Sequence, residues 1–403
     1  MPPLPARTGV ARTGPGLFAG AVRPAWAVRP TRGAPVTAVH QITPAFLERD
    51  AVGAHVVEVQ RTLRALGLES EIYVENLHPA TAGASHLLSE LPTPRHDGGT
   101  VLIYQFATGS DAGEVAYDRP EPLVVNYHNL TPPEHYQRWN RGVVVGLNWA
   151  RVQLKRLGER AALGIGVSEY NTAELVQAGF ASTAVAPILF NPASFEGDPD
   201  PATLERLQAA KANGGSDWLF VGRLTPNKAQ QDLVKALAAY REVYDPKARL
   251  HLVGRADPAA FGTAMHRFVA EAGLTDAVEI ADEGVPADVL RAHFAAADVF
   301  TCASEHEGFC VPLVEAMHHQ VPIVAYAAAA VPETLSGGGL ALVDKAPLTM
   351  ATAVHRVLSD PDLHAQLAAG AAVRLEELSL ERSRAKLIAA LAPLTGISGP
   401  KLW

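Results

Sequence analysis

Short apolar runs alternate with stretches of helical periodicity along most of this chain. Positions 36–42 read as a first buried strand, and 54–66 carries the apolar spacing of a helix that stops at Gly67. Strand-like runs follow at 71–74, 101–106, 123–127, 163–167 and 184–188. The segment 191–216 then turns polar, with Pro192, Pro199, Pro201 and Gly214-Gly215, and reads as a linker. A second series opens at 218–221 and continues at 250–253, 278–281, 299–303 and 322–326. Strand–helix alternation implies parallel sheets. Two such series predict an α/β fold of two Rossmann-like domains whose parallel sheets face each other across a cleft. A last helical stretch, 378–391, is long enough to cross back onto the first domain. The expected organisation is an extension at 1–35, a first domain at 36–190, a linker at 191–216, a second domain at 217–377 and a returning C-terminal helix at 378–403.

The first 35 residues contain Arg7, Arg12, Arg23, Arg29 and Arg32, no acidic residue and many Pro, Gly and Ala. They lack the apolar core of a secretory signal, and they read as a disordered extension or an over-called start. The whole chain has 403 residues, 48% of them hydrophobic and 19% charged, which accommodates two ordinary domains. A net charge of −8 argues against a nucleic-acid partner. No apolar run approaches the ~20 residues of a membrane span. Cys302 and Cys310 are the two cysteines, without a CxxC. They argue against a disulfide framework or a zinc site, and they fit a reduced, cytoplasmic compartment.

The densest chemistry lies in Ser304-Glu305-His306-Glu307-Gly308-Phe309-Cys310-Val311-Pro312-Leu313-Val314-Glu315. Glu307 follows the apolar run at 297–303, and Glu315 falls about a turn into a helix that starts near Pro312. In an open α/β sheet, that strand edge is where ligands bind. Backbone N–H groups from Gly308 through Phe309, Cys310 and Val311 to Leu313 suit an anion at the helix start. A ligand with hydroxyls at one end and phosphates in its middle fits, and a nucleotide sugar is such a ligand. Gly222-Arg223-Leu224-Thr225-Pro226-Asn227-Lys228 leaves the strand that opens the second domain. Arg223 and Lys228 there read as cations for a diphosphate leaving group, or as solvated surface charges on a turn.

In the first domain, Gly53 follows the first strand and permits close approach of a phosphate, or is only a turn residue or a helix start. His128 ends a strand and suits a sugar hydroxyl, although a histidine there is often structural. Ser168 reads as an N-cap or a substrate contact. Ser336-Gly337-Gly338-Gly339 lacks the ending of a P-loop and reads as a turn. Arg151, Lys155, Arg156 and Arg160, near Trp139 and Trp149, suit a solvated helix face or a weak peripheral contact with anionic lipid.

The combination resembles the retaining glycosyltransferases of family 4, which have the GT-B fold, from about residue 36 to the C-terminus. The family's E-x7-E element is similar to Glu307 and Glu315, and its Gly-Arg-Leu-x-x-x-Lys element to Gly222, Arg223, Leu224 and Lys228. Gly53 and His128 resemble its glycine loop and its first-domain histidine. The resemblance implies that Glu307 contacts the transferred sugar, Glu315 the ribose, Arg223 and Lys228 the diphosphate, and His128 a sugar hydroxyl. It implies that backbone near Val285 reads the base. It further implies retention by a front-side route, in which the leaving phosphate takes the acceptor's proton, with no cofactor and no metal.

Three positions depart from the family pattern: Val52 before Gly53, Ala229 after Lys228, and Cys310 where glycine is common. The expected partners are a UDP- or GDP-sugar and a hydroxyl acceptor in glycan, glycolipid or glycosylated-metabolite synthesis. A nucleotide-sugar epimerase of similar shape is the alternative, and a non-catalytic nucleotide-sugar-binding protein a third reading.

Overall fold

A computed structural model describes residues 35–47 and 51–397. The reading of the N-terminal extension therefore falls almost wholly outside the described residues, as does Asp50 beside the expected glycine loop. Seven strands build a first sheet: β1 (Ala38–Thr43), β2 (Ile72–Val74), β3 (His86–Leu87), β4 (Thr100–Phe106), β5 (Leu123–Tyr127), β6 (Leu163–Gly166) and β7 (Thr183–Val185). Six build a second: β8 (Asp217–Val221), β9 (Arg249–Val253), β10 (Val278–Ala281), β11 (Val299–Cys302), β12 (Ile323–Tyr326) and β13 (Leu340–Leu342). Every pairing is parallel.

The orders are β3-β2-β1-β4-β5-β6-β7 and β10-β9-β8-β11-β12-β13. Each sheet starts in its middle, grows to one side, and then returns to grow on the other. The reversal leaves a crevice beyond the carboxyl ends of β1 and β4 in the first sheet, and of β8 and β11 in the second. Helices cover both faces, so the central strands are buried throughout, and their sequences are continuous apolar runs. β3 and β13 were not anticipated. They are two and three residues long at sheet edges, and none of their side chains is fully buried, so they carry little apolar signal.

The polar stretch 191–216 is not simply a linker. It contains the helix Pro201–Ala212, capped by Asp200, whose carboxylate accepts from Thr203 N at 2.7 Å. Leu207 is its one buried residue, so the apolar stripe was too thin to read. Lys211 anchors this helix to the second half through Asp298 at 2.6 Å.

The C-terminal helix Leu380–Thr395 lies on the first half. Leu387 and Leu391 pack with Val39, Val59, Leu63 and Val101. Arg384 reaches buried Glu58 at 2.9 Å. Burial opposes the charge on Glu58, but bonds from Asn191, Arg61 and Arg384 outweigh it and hold the carboxyl below its ordinary value.

Candidate active site

β8 ends at Val221, and the chain turns at Gly222 with φ of 144°, a left-handed value that disfavours any residue with a Cβ. The loop closes in a short helical turn, Pro226–Lys228, followed by Ala229 in the left-handed region. The neighbouring loop comes from β11, on the other side of the switch point. Asn227 sews the two together: its amide donates to His306 O at 3.1 Å, and its carbonyl accepts from Glu305 N at 2.8 Å. Thr225 Oγ donates to the Asn227 side-chain oxygen at 2.9 Å.

The stitching sets Lys228 Nζ 2.5 Å from Glu307 Oε1, with both side chains largely buried. Burial alone would lower the lysine's pKa, but the Glu307 carboxylate outweighs it and raises it. Lys228 is thus a fixed cation at the crevice. Arg223 is placed differently. Its side chain is 61% exposed and meets Asp257 at 3.4 Å, so it remains free to swing.

The chain after Glu307 runs to Cys310, at φ 68°, and then into the helix Val311–His318 with Pro312 in its first turn. Phe309 is buried with Val167, Ile188 and Phe190 of the first half, and Leu313 lies in the second core. The side chains of Phe309 and Leu313 therefore hold the loop in place and leave its backbone for a ligand. Val311 is half-buried against the same cluster as Phe309. Val285, in the loop after β10, is half-buried against the Leu313 cluster.

Glu315 is buried in this helix, and its Oε2 has no hydrogen-bond partner. Burial pushes its pKa up to about 7. An unpartnered buried carboxyl is costly. A diol would supply the missing donors.

The first half contributes His128, immediately after β5. The tautomer of this ring follows from a chain of bonds. Gln41 donates its amide to Val56 O at 2.9 Å, so its carbonyl is the end that accepts from Gln105 Nε2 at 2.7 Å. The Gln105 carbonyl therefore faces His128 Nε2 at 2.6 Å and must accept its proton. Nδ1 is left as an unprotonated acceptor without a partner. Burial, and then neighbouring His55, push the His128 pKa well below its ordinary value, so the ring stays neutral. It is ready to accept a hydrogen bond from a hydroxyl.

The two halves touch at this point. A Cβ on Gly308 would lie 2.5 Å from Asn129 Cβ, 2.7 Å from Asn171 Oδ1 and 3.1 Å from His128 O. His306 Nε2 meets Asn129 Oδ1 at 3.0 Å, and its Nδ1 lies 3.5 Å from the Tyr170 hydroxyl. Burial lowers the His306 pKa to about 4. Trp139 packs edge-on against Phe261 of the second half, with ring centroids 4.9 Å apart.

Lys228 and Glu307 thus meet directly, and His128 is brought to the Gly308 loop across the cleft. Gly53 is placed otherwise. It sits inside the first turn of the helix Ala51–Ala65, and a Cβ there would fall 1.8 Å from Leu47 O. Its lack of a side chain serves close packing of that helix on the preceding segment. Ser168 is an N-cap, accepting from Asn171 N at 3.1 Å. Residues 336–339 form a turn. The cations of helix Arg141–Arg160 are mostly engaged within the protein: Arg151 with Leu130 O at 3.1 Å, Arg156 with Glu114 at 2.7 Å, and Arg160 with backbone carbonyls of Arg119 and Glu121. Sequence reasoning missed Asn227, Gln41, Gln105 and Asn129, which position the site from separate elements. It also missed that Cys302 and Cys310 converge, with thiols and a Glu307 oxygen within 4.8 Å of one another. Among the described residues, no helix is long and apolar enough to cross a membrane.

Two parallel-sheet Rossmann-like domains meeting over such a site are the GT-B fold. Residues 215–360 match the family described as glycosyl transferases group 1. A GDP-mannose-dependent alpha-(1-6)-phosphatidylinositol monomannoside mannosyltransferase from Mycolicibacterium smegmatis is 30% identical over 225 residues, 53% of this chain and 57% of the relative. A D-inositol 3-phosphate glycosyltransferase from Kineococcus radiotolerans is 32% identical over 173 residues, 39% of this chain and 40% of the relative. The chain thus spans between two-fifths and three-fifths of the length of these two relatives. Among solved structures, sucrose-phosphate synthase from Thermosynechococcus elongatus superposes with a TM-score of 0.70 at 20% identity, covering 90% of this chain and 100% of that one. Anabaena HepE in complex with UDP-glucose gives 0.69 at 18% identity, covering 88% and 99%. These two likenesses concern the fold alone. The comparisons give no support to the epimerase alternative.

Proposed function

We propose that this chain transfers a sugar from a nucleoside-diphosphate donor to a hydroxyl acceptor, with retention at the anomeric carbon. The observation that carries the reading is the buried Lys228–Glu307 pair at the second sheet's switch point. Unpartnered Glu315 lies beyond it, and the Nδ1 acceptor of His128 lies across the cleft. The donor's diphosphate lies against Lys228, and Arg223 swings in from its exposed position to share that charge. Charge builds on the diphosphate as the anomeric bond breaks, and a preorganised cation stabilises it there most. Glu315 takes the ribose diol, and backbone near Val285 faces the base. His128 Nδ1 accepts from a sugar hydroxyl and so orients the ring, while Glu307 lies on the reacting side.

The acceptor hydroxyl attacks from the face the diphosphate leaves. Its proton passes to a departing phosphate oxygen, so no protein nucleophile and no metal takes part. UDP- and GDP-sugars both suit the site. The relatives named for inositol-phosphate and phosphatidylinositol-mannoside substrates support a polyol or sugar acceptor. The test is a screen of nucleotide sugars with mass-spectrometric detection of released nucleoside diphosphate. The absence of both binding and release for every UDP- and GDP-sugar would sink the reading.

A further inference from the structure

The two cysteines stand eight residues apart in sequence, on the end of β11 and on the residue before the helix Val311–His318. The loop between them folds back, so that both thiols and a Glu307 carboxylate oxygen lie within 4.8 Å of one another. All three residues are buried. Cys310 occupies a left-handed backbone position, φ 68°, where a side chain is disfavoured. The functional reading gives neither thiol a task.

Two sulfurs and a carboxylate oxygen form a soft, compact donor set. Tetrahedral zinc holds sulfur at about 2.3 Å and oxygen at about 2.0–2.2 Å, which sets neighbouring donors about 3.5–3.8 Å apart. From separations within 4.8 Å, the cluster needs to contract by about 1.3 Å at most. Lys228 already holds Glu307 Oε1, and a carboxylate with one oxygen on an ammonium keeps the other for a cation. Charge also balances: two thiolates, one carboxylate, one ammonium and one divalent cation sum to zero. A buried cluster of zero net charge avoids the cost of an uncompensated ion.

We propose that Cys302, Cys310 and Glu307 form a binding site for one thiophilic divalent cation, of the zinc or cadmium type, and that its occupation blocks the sugar donor. Binding exchanges the two thiol protons for two metal–sulfur bonds, and the protons go to solvent. No electron is transferred. The fourth position is open to water. The bound cation draws Glu307 away from the transferred sugar. The blocking half of this proposal rests on the donor placement above, and the cation site itself does not.

The experiment uses the full chain, reduced beforehand with a phosphine so that both thiols are free. Cadmium is titrated in while ultraviolet sulfur-to-cadmium charge-transfer absorption and proton release are recorded. One cation per chain, with about two protons released, is expected. Cys302→Ser and Cys310→Gly should each weaken binding at least ~100-fold, since even partners outside the ligand set cost 10–100-fold. Cys310→Gly places the residue best suited to that backbone, so it keeps the test open if Cys302→Ser folds poorly. No charge-transfer band in the wild type, or equal bands in wild type and Cys310→Gly, would overturn the site. Conversion of the thiols to a disulfide in place of cadmium binding would do the same.

In a parallel arm, donor binding is measured with and without zinc. Zinc should raise the apparent donor dissociation constant linearly with free zinc, by a factor of one plus the ratio of free zinc to its own dissociation constant, and Cys310→Gly should abolish that effect. Donor affinity indifferent to bound zinc overturns the blocking half. Failure of any donor to bind without zinc instead rejects the functional reading, while the cadmium titration still decides the site.

Discussion

Lys228 Nζ and Glu307 Oε1 lie 2.5 Å apart, and they come from the loops after β8 and β11, the strands on either side of the second sheet's switch point. Neither loop could hold the pair alone. Asn227 ties the loops together through His306 O and Glu305 N. The cation is therefore delivered by one crossover and its counter-ion by another. Replacing either partner should disturb more than a single charge.

Lys228→Ala should cut turnover ~100-fold or more, as removal of a preorganised charge contact does. It should also lower stability by about 1–3 kcal/mol, because Glu307 is left buried without its partner. Arg223→Ala should lower turnover and leave the melting temperature unchanged, since that side chain is 61% exposed. Steady-state kinetics beside thermal melts separate the two. Equal loss of stability in both variants would contradict the distinction drawn between a fixed and a mobile cation.

Glu315→Gln should have opposite effects on stability and on donor affinity. Burial raises the folded-state pKa of Glu315 to about 7 from its ordinary 4.5, so the folded protein binds more protons than the unfolded chain between those values. Stability contributed by this group is full at low pH and is lost as pH rises through about 7. Without ligand, Glu315→Gln should match the wild type near pH 4 and exceed it by about 1–3 kcal/mol at pH 8. Donor binding favours the ionised carboxylate, so wild-type affinity should rise with pH up to about 7, and the variant should be flat and weaker. Melts and calorimetric titrations across pH decide both parts. Parallel pH profiles in the two proteins would refute them.

Gln41→Leu should impair the site from a distance. The substitution frees Gln105 to rotate, and His128 then loses the bond that fixes Nδ1 as the acceptor. One neutral hydrogen bond is worth about 1 kcal/mol, so kcat/KM should fall about 5–10-fold. Nitrogen NMR of the His128 ring should show both tautomers. A ring still held in one tautomer would mean that the relay does not set it.

Gly308→Ala should hold the halves apart. The added methyl would meet Asn129 and Asn171 at under 3 Å, so the loop or the first half must give way. Turnover should fall by an order of magnitude or more, while each half keeps its own core and the protein stays folded. Small-angle scattering should show a larger radius of gyration with donor bound than for the wild type. An unchanged radius and rate would show that the contact yields freely.

Much of the fold was written in the apolar pattern, because strands such as β5 and β11 are buried on both faces and read as unbroken runs. The helix Pro201–Ala212 was missed because it buries only Leu207. Glu307, Glu315 and Lys228 were legible as candidates, since each follows a strand or opens a helix at a recognisable spacing. Their supports were not. Gln41, Gln105 and His128 lie far apart in sequence and meet only because β1, β4 and β5 are neighbours. Gly53 was legible as a helix start, but its close approach to Leu47 was not, since a glycine needed for packing and one needed for a ligand look alike in a sequence.

His306, Glu307 and Gly308 are consecutive, and the outer two make the contacts with the first half: His306 with Asn129, and Gly308 with Asn129 and Asn171. The carboxylate rides between two fasteners. Parting the halves pulls on both neighbours and so withdraws Glu307 from its working position. On the proposed function, reaction would thereby be tied to engagement of the two halves, and futile loss of activated sugar to water would be held down. Donor hydrolysis without acceptor should accordingly be slow in the wild type, and Asn129→Ala should uncouple the two.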